Sequence, residues 1–165
     1  MNVTAQLVDQ IKTARAWTNN LLADISEKDW LTMPGGGVGH TLWQVGHLAA
    51  SQVALVHVRC FGRDYASHAP LSYRDLFGKD STPSADASKY PSIKVVREFF
   101  VHTLRETLDL ISTMDEAALE EKTSGAAHPY FSTRAGAVAM VAMHETFHGG
   151  QIALIRRVLG KQPLR

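Results

Sequence analysis

The chain has 165 residues, 45% of them apolar and 20% charged, and 17 Lys plus Arg against 16 Asp plus Glu leave a net charge of +1. That length suits one domain of roughly 100–200 residues. The composition is globular rather than disordered, and the balanced charge speaks against the basic face that a nucleic-acid binder needs. One cysteine, Cys60, excludes an intrachain disulfide and a multi-cysteine zinc site, whereas eight histidines stand out.

Lys12 and Arg15 interrupt any apolar run near the start, so no secretory signal is expected. No Asp, Glu, Lys or Arg occurs from Trp30 to Val58, but five glycines, two glutamines and three histidines in that stretch argue against a membrane span. The expected compartment is the cytoplasm.

Helical periodicity dominates. Leu7, Ile11, Ala14, Leu21 and Ile25 line one face of a first helix over about 2–23. Ser26 is placed to cap a short turn, and Met33-Pro34 with Gly35-Gly36-Gly37 then breaks the chain. A second helix is expected from Thr41 to near Gly62, opened by a capping box of Thr41 and Gln44. Residues 63–90 read as a polar crossover with a turn at Tyr73–Phe77.

A third helix over 91–114 segregates Ile93, Val96, Phe100, Leu104, Leu108 and Ile111 from Lys94, Glu98, Arg105 and Asp109. A short surface helix over 115–122 and a loop over 123–132 lead into a last helix over 133–159, stopped by Gly160 and Pro163. Four long helices and no sheet define an all-α, four-helix bundle in a single domain spanning 1–165, with a long crossover between helices 2 and 3.

The chemical signal is His144-Glu145-Thr146-Phe147-His148. Histidines at i and i+4 share a helix face and can share one metal ion. Rotation by about 100° per residue puts His144, His148 and Gln151 on the arc of Ala137, Met140, Val141, Ile152, Ile155 and Val158, with Arg156 and Arg157 outside it. Inward imidazoles are costly unless partnered, and a cation satisfies both. Of the other histidines, His102 shares a charged face, His68 and His128 lie in loops, His57 lies well round the second helix, and His40 precedes its cap. His47, one turn inside that helix beside Trp43, Gln44 and Ala50, is the best third ligand. Three neutral imidazoles leave a divalent ion its full charge and an open position.

Trp43-Gln44-Val45-Gly46-His47-Leu48 and His144-Glu145-Thr146-Phe147-His148-Gly149-Gly150-Gln151-Ile152 resemble the two histidine motifs of the DinB/YfiT-like metalloenzymes. Arg156-Arg157-Val158-Leu159-Gly160 is similar to their closing segment. The resemblance covers nearly the whole chain and shows no departure at the ligand positions. It implies an up-down-down-up bundle, one divalent metal ion per chain (zinc or nickel) on His47, His144 and His148, and a homodimer. Some relatives in that family transfer low-molecular-weight thiols.

Three functions follow as expectations. The first is thiol transfer to a small-molecule substrate, the metal lowering the pKa of a bound thiol. The second is hydrolysis, with Glu145 as general base in the zincin-like His-Glu-x-x-His string. The third is metal binding without catalysis. A di-iron carboxylate site would need a second Glu-x-x-His motif, which is missing. Gln151 is a candidate partner for a ligand or cofactor. Gly149 and Gly150 suggest close approach of a helix or ligand, Gly35–Gly39 lacks the residues of a phosphate loop, and Cys60 reads as a buried thiol. The second helix is apolar around most of its girth, which predicts burial against a second copy. Neither a nucleic-acid partner nor a membrane is expected.

Overall fold

The computed structural model describes residues 2–164 and is all-helical. Six α-helices follow in order: α1 (Val3–Leu22), α2 (Thr41–Gln52), α3 (Ser72–Phe77), α4 (Ile93–Ser112), α5 (Glu116–Glu120) and α6 (Arg134–Val158). No strand occurs among the described residues; one isolated antiparallel bridge joins Lys122 and Thr133. α1 lies chiefly against α6 and α2 chiefly against α4, while α6 also borders α2 and α1 borders α4. The four long helices form the bundle, and α3 rides in the crossover between α2 and α4.

The periodic faces fold as the sequence dictates. Leu7, Ile11, Ala14, Leu21 and Ile25 are buried, as are Val96, Phe100 and Ile111 of α4. Lys94, Glu98, Arg105 and Asp109 stay exposed. Asn2, Ser92 and Thr133 cap α1, α4 and α6 by accepting from backbone N–H groups three residues on. Gly35, Gly36 and Gly37 take φ values of 88°, 62° and 77°, a run that only glycine adopts without strain, and it turns the chain into α2.

Four local expectations need correction. α2 is not opened by a capping box. His40 caps it, its Nδ1 accepting from the Trp43 N–H, and this frees the Gln44 side chain for other partners. Ser26 precedes the short turn Glu27–Asp29 but makes no side-chain cap. Arg156 is buried at 3% exposure, because Asp24 and the carbonyls of Leu21 and Gln162 satisfy its guanidinium, whereas Val158 is half exposed. A Cβ on Gly149 would meet Trp17 at an ordinary 3.5 Å and one on Gly150 would meet nothing within 4 Å, so neither glycine is demanded by close packing.

α2 also departs from expectation in its packing and at its C-terminal end. Every residue from Thr41 to Ala50 is buried within the chain's own bundle, so its apolar girth requires no second copy. After Gln52 the helix continues as a π-helical stretch, Val53–Cys60. π-helical turns are rare and concentrate at functional sites. Cys60 ends the stretch as a fully buried thiol, pushed up to about 12 by burial.

Candidate metal centre

α2 and α6 bring His47, His144 and His148 together at the bundle's interior. One ring nitrogen from each lies within 4.8 Å of the others, a group able to hold a metal ion. His144 Nε2 stands 3.2 Å from His47 Nε2 and 3.1 Å from His148 Nε2. Two nitrogens on a tetrahedral zinc, each ~2.0–2.1 Å from it, stand ~3.3 Å apart, so the spacing suits a small cation.

The outer nitrogens fix the tautomers. His47 donates its Nδ1–H to the Phe77 carbonyl at 2.6 Å, and His148 donates its Nδ1–H to Gln44 Oε1 at 2.6 Å. Both Nε2 atoms therefore carry bare lone pairs. His144 Nε2 has at most one hydrogen and can satisfy only one of them, so at least one close nitrogen pair is unpartnered without a cation. Burial holds all three imidazoles below their ordinary pKa, His144 at about 4 and His148 at about 3, with neighbouring imidazoles of the cluster adding to the fall at these two. Neutral imidazole is the form that binds a metal.

A second layer holds this geometry. Gln44 donates through Nε2 to the Gly39 carbonyl at 3.0 Å and to Gln151 Oε1 at 2.7 Å, so its oxygen is aimed at His148. Trp43 stacks on His47 at 4.6 Å with rings 10° apart, and its indole N–H donates to Ser81 in the crossover. The Phe77 ring lies over Gly46, where a Cβ would sit 2.4 Å from its Cε1. That contact seats the end of α3 so that its carbonyl reaches His47.

A cavity of about 400 Å³ opens on His47 and His144. Ala50, Ala54, Leu55 and Met140 supply apolar wall, and Arg59, Arg74 and Lys79 supply positive charge. The loop over 123–132 folds onto it, Ser124 donating its N–H to the Arg59 carbonyl and Arg59 donating to the Ala126 carbonyl, which brings His128 and Tyr130 to the rim. A larger groove of about 970 Å³ between α1 and α6 contains none of the histidines.

The two remaining sequence candidates stand elsewhere. Glu145 is buried at 1% exposure and pairs with Arg15 at 2.5 Å; Arg15 also donates to the Phe100 carbonyl and lies 3.4 Å over its ring. It is neither a surface carboxylate nor part of the histidine group or the cavity lining. One residue of helical rotation turns it toward α1 and α4, away from the position a general base would need. Gln151 meets no histidine and accepts from Gln44 instead. Gln44 is the residue the sequence reading missed, because its position after Thr41 fits a cap equally well.

The fold is thus an all-helical bundle whose three converging imidazoles could hold a metal ion. The DinB superfamily model matches residues 10–152, and the chain belongs to that superfamily. A conserved protein from Enterococcus faecalis has a crystal structure with the same fold: TM-score 0.72, 17% identity, 98% of this chain and 99% of that one covered. No curated protein matches the sequence. No helix among the described residues is long and apolar enough to cross a membrane.

Proposed function

We propose that the protein is a metal-dependent enzyme that transfers a low-molecular-weight thiol to a small electrophile. The observation that carries this reading is the convergence of three Nε2 atoms at a cavity with cationic walls. His47, His144 and His148 would hold one divalent ion; imidazole donors suit zinc, nickel, cobalt or iron, of which zinc and nickel are the proposed occupants. The ion's contribution would be to lower the pKa of a bound thiol and hold the thiolate. Arg59, Arg74 and Lys79 would attract the carboxylates of an anionic thiol, and Ala54, Leu55 and Met140 would shelter the electrophile from water.

In the reaction, the sulfur forms a carbon–sulfur bond, the leaving group departs with its electron pair, and the thiol proton passes to solvent. The test is turnover of an activated aryl halide with a panel of thiols, using zinc- and nickel-loaded wild type and a His144→Ala variant. A metal-dependent rate with an anionic thiol, absent in the variant, is expected. No rate with any thiol overturns the reading. Hydrolysis through Glu145 has less support, since Arg15 occupies its carboxylate.

We further infer a cytoplasmic homodimer. Its support is the exposed row of Met143, Phe147 and Leu154 on α6 with Trp17 on α1, and not α2. Sedimentation at micromolar concentration should give twice the 18.1 kDa chain mass.

A further inference from the structure

A second cluster of metal-ligating side chains lies outside the site above. His57 from the π-helical end of α2, His68 from the crossover and Glu106 from α4 each offer one ligand atom, and these atoms lie within 4.8 Å of one another. The His57 and His68 rings stand 4.2 Å apart, centre to centre, and His68 Nδ1 is 3.7 Å from Glu106 Oε2.

His57 is the decisive residue. It is 0% exposed, yet neither ring nitrogen has a hydrogen-bond partner. Buried polar atoms are nearly always paired, and an imidazole with both nitrogens orphaned calls for a partner that is not a protein group. Burial, reinforced by the nearness of His68, holds it at about 4, against the opposing pull of Glu106, so at neutral pH it offers a lone pair rather than a charge. The other members are less deeply buried, with side chains 12% exposed at His68 and 33% at Glu106, and this leaves a route from solvent. His102, one turn before Glu106, reaches that carboxylate's other oxygen at 3.5 Å and helps to orient it.

The local backbone supplies an independent pointer. The π-helical stretch places His57 off the rotation an uninterrupted α-helix would give it, and such distortions of a helix recur at functional sites.

We propose that His57, His68 and Glu106 form a second binding site for a divalent cation of the zinc type. Two imidazoles select zinc, cobalt or nickel over magnesium and calcium, which prefer all-oxygen sets. Two histidines and one glutamate are a known zinc donor set that leaves a position open to water. The ion would fasten three separate segments: the end of α2, the start of the crossover and the middle of α4. It shares no ligand with the three-histidine centre and does not depend on what that centre does.

The experiment is calorimetric titration of metal-stripped protein with zinc, on wild type and on His144→Ala, His57→Gln and Glu106→Gln variants, with far-ultraviolet circular dichroism to confirm folding. Wild type should take up two zinc ions per chain and each single variant one. The double variants His144→Ala/His57→Gln and His144→Ala/Glu106→Gln should take up none at micromolar zinc. Loss of a direct ligand should weaken binding by more than the ~10–100-fold typical of outer partners. Glu106→Gln guards the test, because its side chain is a third exposed and the change leaves the core intact.

If His144→Ala takes up no zinc, or takes up zinc that both double variants retain, the second site is overturned. If wild type takes up a single zinc ion that His144→Ala retains and the His57→Gln single variant loses, the second site stands while the three-histidine reading falls.

Discussion

The side chain of Gln44 decides which nitrogen of His148 faces the cluster, because Gln44 Oε1 accepts the Nδ1–H at 2.6 Å and leaves Nε2 bare. Gln44 cannot turn over, since both of its own N–H groups are engaged, by Gly39 and Gln151. A Gln44→Leu variant should therefore weaken zinc binding at the three-histidine centre by ~10–100-fold, the usual effect of losing a ligand's outer partner. Zinc affinity by competition with a chelator checks this; an unchanged affinity would mean that His148 is oriented by something else.

Gly46→Ala should be disruptive far beyond its one added carbon. The new Cβ would lie 2.4 Å from the Phe77 ring, which is fully buried and has nowhere to move. Overpacking of this kind costs ~1–3 kcal/mol. Displacement of Phe77 also withdraws the carbonyl that holds His47. Urea unfolding should show the loss, and a Gly46→Ala/Phe77→Leu double variant should recover part of the stability.

Glu145 and Arg15 form a buried ion pair with one oxygen and one nitrogen left unpartnered. Removing one member of such a pair typically costs ~3–5 kcal/mol, because the other charge stays buried alone, whereas replacing both with apolar residues is often close to neutral. Glu145→Ala should thus lower the melting temperature sharply, and Arg15→Met/Glu145→Leu should restore most of it. Zinc uptake by the folded fraction should not change in either variant. If Glu145→Ala were as stable as wild type but inactive, a catalytic carboxylate would be indicated.

Acid should destabilise the metal-free protein in a defined window. His57 and His144 are held at about 4 and His148 at about 3, against an ordinary 6.5 in the unfolded chain. Between these values the unfolded state binds more protons than the folded state, so stability is full above pH 6.5 and falls as the pH drops toward 4. Urea midpoints measured at intervals from pH 7.5 to 4.5 should decline, and less steeply in His57→Gln. A midpoint independent of pH would mean that these imidazoles titrate normally in the fold.

What the sequence disclosed was what is local. The apolar and charged faces of α4 separate because Val96, Phe100 and Ile111 recur at helical spacing, and His144 with His148 is a one-turn relationship on a single helix. Arg156 was misplaced because its partner Asp24 is 132 residues away and a helical wheel cannot show a charge neutralised across the bundle. The pairing of Glu145 with Arg15 escaped for the same reason. His57, His68 and Glu106 come from three segments, and a π-helical stretch alters the rotation on which the wheel depends.

His144 differs from its two companions. His47 leans on the Phe77 carbonyl and His148 on Gln44, but no bond braces the far nitrogen of His144 among the described residues, and its ring borders the cavity. The cluster is a tripod with two braced legs and one left unbraced. Turning that single ring would admit or release an ion without unlocking α2, so the rate of metal exchange should be governed by the freedom of His144 and by whatever fills the space beside it.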